Sequence, residues 1–220
     1  MELFRVENVT FNSRNQKIIR GISLSIKKGS VIGLTGKSGS GKSTLLKLIA
    51  GILVPSSGKV FYRERDIQGM NSIQNRDFRK KCAFVFQDSA LWANQSIQQN
   101  LELPLQTLNP KLSDSQRLLR IKEICELVKY ERSLQLRPAD LSMGEQKRIA
   151  FARALINKPD ILCLDECTES LDRKGVEVIM SLLENFVSAG KTVIYVSHSS
   201  SFITAMAGKI YVIDEGLLSE

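Results

Sequence analysis

A glycine-rich turn between an apolar run and a helical run constrains the fold of this chain more than any other feature of its sequence. Residues 36–43 have the pattern G-x-x-x-x-G-K-S, follow the apolar residues 31–35 and precede a helical run that stops at Gly51. The glycines let backbone N–H groups wrap a phosphate, and the helix N-terminus adds the positive end of its dipole. A merely flexible turn is the alternative, but the strand and the helix supply the context that a phosphate loop requires. The predicted loop consists of Gly36, Lys37, Ser38, Gly39, Ser40, Gly41, Lys42, Ser43 and Thr44.

Two kinds of apolar pattern predict the strands. Residues 22–26 alternate apolar and polar side chains, which is typical of a half-exposed antiparallel strand. Residues 83–86, 161–164 and 192–196 are almost continuously apolar, as expected of parallel strands buried on both faces. Further strands are predicted at residues 3–6, 31–35, 59–62 and 210–213. The chain is therefore expected to combine an α/β core with a small antiparallel subdomain.

The middle of the chain, residues 88–158, is predicted to be a helical insertion into this core. One helix begins with a capping box at Ser113 and Gln116. Its apolar face is predicted at helical spacing and consists of Leu118, Ile121, Cys125 and Val128. A second helix is expected to run from near Ser142 to residue 158.

Polar residues follow the carboxyl ends of four predicted strands. They are the phosphate loop, Gln87, the pair Asp165 and Glu166, and His198. Ligands of parallel sheets sit at the carboxyl ends of the strands. We therefore expect all of these groups to meet in one crevice.

The chemistry of phosphoryl transfer suggests a role for the strongest of these groups. Lys42 is expected to reach the β- and γ-phosphates, and the Ser43 hydroxyl to bind Mg²⁺. Asp165 follows a buried strand and needs a cation to stay charged, so it is assigned to the metal through water. Glu166 is assigned to the attacking water as general base. The alternative for this acidic pair, taken alone, is a solvated turn.

Two weaker signals gain meaning from their position. A lone histidine beside a strand is more often structural, and a lone glutamine carries even less information. At strand ends, however, His198 and Gln87 fall where donors to the γ-phosphate and a group that orients water are needed, and Gln87 is also expected to bind the metal.

A second possible anion site lies at the start of the helix after residue 141. Ser142, Gly144 and Glu145 offer a hydroxyl and free backbone N–H groups at a helix N-terminus. The alternative is an ordinary serine N-cap. Because the chain already has one phosphate loop, a second anion site suggests that another subunit brings its nucleotide here.

Composition narrows the class of protein only in part. The formal net charge of +8 favours a nucleotide, a nucleic acid or an anionic membrane face, and a solvated basic surface explains it as well. The four cysteines form no C-x-x-C pair, so they are interpreted as reduced, mostly buried thiols. The sequence shows neither a secretory signal nor an apolar run near the roughly 20 residues that cross a bilayer. We expect a cytoplasmic protein whose membrane role comes through a partner.

The order of these motifs resembles that of the nucleotide-binding subunit of bacterial ATP-binding cassette (ABC) transporters, over about residues 3–215. The matching positions are the Walker A loop at residues 36–43, the Q-loop Gln87, the signature at 141–145, the Walker B Asp165 with the base Glu166, the D-loop at 170–172 with Asp172, and the switch His198. Phe11 falls where the family has an aromatic residue that stacks on adenine.

The resemblance implies a fold and an assembly. The expected fold is a single domain of 220 residues with a P-loop NTPase core of mainly parallel strands, a small antiparallel β subdomain and an inserted helical subdomain. Residues 1–87 and 159–220 would form the first two parts, and residues 88–158 the third. Two copies would pair head to tail as a homodimer, with ATP and Mg²⁺ between the Walker A loop of one and the residues Ser142, Gly144 and Glu145 of the other.

The same resemblance implies coupling to a membrane. Dimer closure would accompany hydrolysis, and the segment after Gln87, with Trp92 and Pro104, would connect closure to transmembrane permease subunits. The protein would then lie at the inner face of the cell membrane, held there by its partner, without binding nucleic acid directly. Residues 86–92 and 100–105 are similar to cassettes of bacterial lipid-trafficking and lipoprotein-releasing systems.

Three departures from the family pattern fall in the signature and in the residues that follow Glu166. Met143 stands where glycine is commonest and brings a side chain close to the expected phosphate, and Glu145 replaces a glutamine. Residues 167–169 read Cys-Thr-Glu where Pro-Thr-Ser is usual, which alters contacts across the dimer without removing the base. Since the catalytic positions remain, we expect an active ATPase.

Two other functions stay open at this point. A soluble cassette ATPase acting on nucleic acid or the ribosome also suits a basic protein, but such relatives usually carry coiled-coil or zinc insertions or a second cassette. A cassette that binds ATP as a regulatory module without hydrolysing it is opposed by the intact Lys42, Glu166 and His198.

Overall fold

The computed structural model describes residues 1–13 and 16–219, which form two β-sheets. The smaller sheet is antiparallel, with the strand order β2-β1-β4-β5. Its strands are β1 (Glu2–Ser13), β2 (Gln16–Lys27), β4 (Ser57–Tyr62) and β5 (Arg65–Asp66). Ile22, Leu24 and Ile26 of β2 are buried and the residues between them are exposed, as the period-two pattern predicts.

The larger sheet has the strand order β10-β9-β3-β8-β7-β6. Its strands are β3 (Val31–Thr35), β6 (Cys82–Val85), β7 (Ile161–Asp165), β8 (Thr192–Val196), β9 (Lys209–Asp214) and β10 (Leu217–Ser219). The strands from β9 to β6 are parallel, and β10 pairs antiparallel with β9 at the edge. Every residue of β7 and β8 is buried, because both faces of the sheet are covered.

The α-helices of the described residues are α1 (Lys42–Ile49), α2 (Ser72–Lys81), α3 (Ile97–Leu108), α4 (Asp114–Leu127), α5 (Met143–Leu155), α6 (Arg173–Ser188) and α7 (Ser200–Met206). Capping boxes begin α2, α3, α4 and α5. At α4 the Ser113 hydroxyl accepts from the N–H of Gln116, whose side chain accepts from the N–H of Ser113, as predicted. None of these helices is long and apolar enough to span a bilayer.

The pleat of the larger sheet sends alternate side chains into two separate cores. In β7, Ile161 and Cys163 enter a core that the two sheets share with α1, whereas Leu162 and Leu164 enter a core formed with α3 to α6. The larger sheet is therefore the central layer of the molecule. The predicted fold class is confirmed: a mainly parallel α/β core, a separate antiparallel sheet and a helical middle.

Most sequence-based expectations agree with these elements, and the differences have local causes. All eight predicted strands are present. The strands β5 and β10 were not predicted, because their two and three residues are too few to show an apolar period. The apolar face predicted for α4 is wrong at Leu118, which is 38% exposed, because that helix reaches the core only from Ile121 onward. The helix predicted to end at residue 158 ends at Leu155, and Lys158 adopts a left-handed φ of +52°.

The cysteines give a test of this packing. All four are free and buried, as predicted, and burial raises the pKa of Cys125 to about 11 and that of Cys167 to about 12. We expect the native thiols to react with DTNB at about pH 8 far more slowly than those of the urea-unfolded protein. Rapid reaction of the native thiols would contradict the structure.

The same thiols give the free energy of unfolding a pH dependence. Since Cys125 and Cys167 keep their protons above about pH 9, where thiols of the unfolded chain lose theirs, their contribution to stability is lost as the pH rises from about 9 toward 12. Urea titrations at about pH 8 and about pH 10 measure this loss, and a Cys125→Ala variant should show less of it.

Candidate nucleotide-binding site

Four parallel strands end side by side at one edge of the larger sheet and open onto one cavity. The strands β3, β8, β7 and β6 are neighbours in parallel register. The cavity has a volume of about 710 Å³ and is lined by Ile18, Gly36, Lys37, Ser38, Gly39, Gly41, Lys42, Ser43, Thr44, Gln87, Glu166, Glu169 and His198. The structure therefore brings together most of the phosphate loop and the polar residues predicted at the other strand ends.

The loop between β3 and α1 owes its shape to glycines at positive φ. Gly36, Gly39 and Gly41 have φ values of +135°, +78° and +106°, which other residues rarely adopt. A Cβ at Gly36 would lie 2.0 Å from the carbonyl oxygen of Ile213, so β9 packs against the loop with no room for a side chain. The loop thus leads directly into the N-terminus of α1, where backbone N–H groups have no partner within the helix.

The side chain of Lys42 lies over this loop. Its Nζ donates to the carbonyl oxygens of Gly36 at 2.9 Å and Lys37 at 2.8 Å, and the residue is 5% exposed. Burial lowers the pKa of Lys42, while Glu166 and Asp165 raise it by smaller amounts. A phosphate would offer this ammonium charged acceptors in place of neutral carbonyls, which makes stronger hydrogen bonds.

Asp165, the last residue of β7, is a buried carboxylate with one close polar partner. Its Oδ1 accepts a hydrogen bond from Ser43 Oγ at 2.7 Å, and its Oδ2 lies 3.9 Å from Lys47 Nζ. A carboxylate that is 2% exposed is stabilised by a nearby cation. The Ser43 hydroxyl, the Asp165 carboxylate and the Gln87 amide are oxygen donors of the kind that Mg²⁺ prefers, so these residues fit that ion.

The remaining ligands of such an ion would come from outside the protein. Within residues 1–13 and 16–219, no group of three or more His, Cys, Asp or Glu side chains is placed to hold a metal. Mg²⁺ commonly binds through one or two protein groups together with substrate phosphates and water. A metal held by Ser43, Gln87 and Asp165 would therefore need further ligands such as phosphate oxygens and water.

Glu166 and His198 face each other across the ends of β7 and β8. The N–H of Glu166 donates to the carbonyl of Val196 at 3.0 Å, and Glu166 has a left-handed φ of +46°, which is uncommon for a residue with a side chain. The N–H of His198 donates to Glu166 Oε2 at 3.2 Å. His198 Nε2 lies 3.2 Å from Oε1, the distance of an ion pair, but without the alignment of a hydrogen bond, so the acceptor capacity of Oε1 remains unused.

Gln87 is held from two directions. Its Nε2 donates to Glu169 Oε2 at 2.9 Å, and its backbone carbonyl accepts from Nζ of Lys147 in α5. Lys147 is 4% exposed, and burial lowers its pKa while nearby groups, Cys167 foremost, raise it by smaller amounts. The Q-loop residue is thus attached to α5 through its backbone and to Glu169, just before the D-loop, through its side chain.

The signature residues lie outside this cavity. Ser142 caps α5: its Oγ accepts from the N–H of Glu145 at 3.2 Å, and the Glu145 carboxylate accepts from the N–H and the hydroxyl of Ser142 at 2.8 and 2.9 Å. A Cβ on Gly144 would touch only Leu171 at 3.8 Å and Ser170 at 4.0 Å. Within one chain, therefore, the capping role is the one that the structure shows.

Two other predicted site residues lie apart from the phosphate loop. Phe11 is half-buried against the core between the sheets and does not line the cavity, whereas Ile18 of β2 does. Asp172 caps α6, because its Oδ1 accepts from the N–H of Gly175 at 2.9 Å. Ile18 gave no signal in the sequence, since its strand pattern is that of an ordinary core residue, while the unusual residues 167–169 already marked Glu169 as a departure.

The comparison with known proteins identifies the family of the chain. The model of the ABC transporter family matches residues 19–169. The methionine import ATP-binding protein MetN of Clostridium acetobutylicum is 33% identical over 99% of this chain and 68% of that protein. MetN of Brucella abortus is 33% identical over 92% of this chain and 54% of that protein. The chain thus spans about half to two thirds of the length of these relatives.

Solved structures show the same fold. A dimeric structure of MJ0796, a bacterial ABC transporter cassette, matches with a TM-score of 0.90 and 31% identity, over 99% of this chain and 97% of that one. The same cassette in a dimeric post-hydrolysis state bound to ADP and Pi matches with a TM-score of 0.88. The chain belongs to the ABC transporter family. The similar proteins are ATP-binding subunits and cassettes of transporters, and the alternative of a nucleic-acid or ribosome ATPase is not favoured.

Two glycines of the loop form a matched pair for a test. A Cβ at Gly39 would meet nothing within 4 Å, whereas one at Gly36 would meet the backbone of β9. We expect Gly39→Ala to lower the free energy of unfolding by about 1–2 kcal/mol, the cost of the positive φ alone. Gly36→Ala should lower it by clearly more, because the backbone must also move. Urea unfolding of both variants measures the difference, and equal losses would contradict the packing of the loop on β9.

Proposed function

We propose that the chain hydrolyses ATP with Mg²⁺ in this cavity, and that two copies close around ATP to drive a membrane transporter. The observation that carries the proposal is the convergence of the phosphate loop, the Ser43–Asp165 pair, and Glu166 with His198 at one edge of the sheet. Phosphoryl transfer needs positioning and charge stabilisation more than covalent chemistry by the protein. These groups supply both.

The phosphates are held by the loop and by α1. Backbone N–H groups of the loop and of the helix N-terminus donate to phosphate oxygens, and Lys42 exchanges its two carbonyl partners for β- and γ-phosphate oxygens. Ser43, Gln87 and, through water, Asp165 are the residues that would hold Mg²⁺. When bound, this ion neutralises charge on the β- and γ-phosphates.

Glu166 is proposed to accept the proton of the attacking water. Glu166 lines the cavity, and its Oε2 accepts from the backbone N–H of His198, while the His198 ring lies 3.2 Å from Oε1. Oε1 still has acceptor capacity for a water proton. His198, whose side chain is 55% exposed, is proposed to donate to the γ-phosphate once a partner subunit covers it.

The proposal of a homodimer follows from the position of the signature. Ser142, Gly144 and Glu145 lie outside the cavity of their own chain, but they present a helix N-terminus to solvent beside the exposed Met143. Such an N-terminus binds an anion well. A second copy placed head to tail would bring its ATP to this helix, and dimeric structures of a similar cassette support the arrangement.

A contact with transmembrane permease subunits is proposed for the segment after Gln87. Trp92 is 44% exposed beside a groove of about 480 Å³, which Gln95, Gln99 and Leu103 help to line. Asn100 is fully buried and binds the backbone of Trp92 through its oxygen at 2.8 Å and its nitrogen at 3.2 Å. Buried hydrogen bonds thus hold the backbone of this segment in place. Through this segment the protein would contact the permease subunits and lie at the inner face of the membrane.

The general-base role can be tested with Glu166→Gln. This change keeps the volume of the side chain but removes the basic oxygen, so we expect steady-state phosphate release to fall by at least about 100-fold. ATP binding should persist, and the ATP-bound dimer should accumulate in size-exclusion chromatography with light scattering. Glu177→Gln is the matched control, because Glu177 is an exposed carboxylate on α6 paired only with a surface arginine. Unchanged turnover in Glu166→Gln would refute the assignment.

A mixing experiment tests whether each ATP lies between two copies. Lys42→Ala removes a phosphate contact, and Ser142→Asp keeps a good N-cap while placing a negative charge where the partner's phosphate is proposed. Each variant alone should be inactive. A mixed dimer contains one site with both defects and one site with none, so we expect the mixture to recover part of the wild-type turnover. If each site lay within one chain, mixing would recover nothing.

A further inference from the structure

Glu169 lines the same cavity as Lys42 and Ser43, and the proposed chemistry gives it no role. It is exposed and lies three residues after the proposed base, where a serine is usual in the family that the chain belongs to. Among the described residues, the hydrogen bond of its side chain is with Gln87, whose Nε2 donates to Glu169 Oε2 at 2.9 Å. A carboxylate at this position differs from a hydroxyl in the hydrogen bonds that it can form with Gln87.

A carboxylate chooses which end of the Gln87 amide it binds. An ionised carboxylate only accepts hydrogen bonds, so it binds the NH₂ group and repels the amide oxygen. A serine hydroxyl can donate or accept, and a glutamine at position 169 can do both as well. Glu169 therefore fixes one of the two orientations of Gln87 and leaves the amide oxygen as the end that it does not engage.

The backbone of Gln87 is fixed at the same time. Its carbonyl accepts from the buried ammonium of Lys147, which holds the residue against α5. With the backbone held and the NH₂ group bound to Glu169, the amide has little freedom left. Only the oxygen of an amide binds Mg²⁺, since its nitrogen has no available lone pair.

We propose that Glu169 is a positioning residue of the metal site, which keeps the amide oxygen of Gln87 as the end presented to Mg²⁺. The inference rests on the proposed function, because it deepens the role given there to Gln87. Glu169 touches neither the nucleotide nor the reacting atoms in this account. It acts through Gln87.

The test compares Glu169→Gln with the wild type by metal binding, independently of turnover. Glu169→Gln keeps the shape of the side chain, but the new amide can donate as well as accept, so the Gln87 amide can exchange the positions of its oxygen and nitrogen. With a non-hydrolysable ATP analogue bound, we expect the affinity for Mn²⁺, measured by EPR, to fall by about three- to tenfold, the range of one solvent-accessible hydrogen bond. Affinity for the analogue without metal should not fall, because the change removes a negative charge from the cavity. Glu169→Ser should show a loss of the same direction.

Two controls separate positioning from general damage. In a Gln87→Ala background, Glu169→Gln should cause no further loss of Mn²⁺ affinity, and Glu177→Gln should bind Mn²⁺ as the wild type does. Equal Mn²⁺ affinities of Glu169→Gln and the wild type would overturn the inference, as would an undiminished loss in the Gln87→Ala background. A wild type that neither hydrolyses ATP nor binds Mn²⁺ with the analogue would instead overturn the proposed function and the inference with it.

Discussion

The parallel register of β3, β8, β7 and β6 is the constraint on which the rest of the site depends. Leu34 and Asp165 both pair with Val196, and Val85 pairs with Leu164, so the four strands end within about one residue of the same level. The residues that follow these strands therefore lie together at one edge of the larger sheet. A shift of one strand by a single residue would turn its side chains to the other face and break both cores.

Buried charge gives this edge its preference for an ionic ligand. Lys42 and Asp165 are almost fully buried, yet their closest polar partners are neutral carbonyls and a hydroxyl, with Lys47 more distant from the aspartate. Burying a charge is costly unless it is paired. The proposed nucleotide and its metal would supply the opposite charges, so part of the cost of building the site would be offset when they bind.

One helix connects the parts of the molecule that are proposed to face different partners. The helix α5 begins at the capped Ser142, holds the backbone of Gln87 through Lys147, and binds the carbonyls of Ser89 and Ala90 through Arg153 at 2.9 and 2.7 Å. The segment proposed to face a permease and the turn proposed to face the partner's ATP are therefore attached to the same rigid element. A displacement of one is expected to move the other.

The sequence alone determined the features that depend on neighbouring residues. Local spacing was enough to predict the phosphate loop, the eight strands, the Ser113 and Ser142 caps and the polar strand ends. Each of these features is defined by residues that lie close together in the sequence. Their common location followed from a general property of parallel sheets.

Only the tertiary structure decided which distant side chains meet. Ser43 contacts Asp165 across 122 positions of sequence, and Gln87 contacts Glu169 across 82. Leu118 belongs to an apolar stripe but lies beyond the packed part of α4, and Ile18 rather than Phe11 lines the cavity. The spacing of apolar residues indicates which face of a helix or strand a residue occupies. Which residues it contacts depends on how far that helix or strand overlaps its neighbours in the fold, and a local sequence pattern does not contain this information.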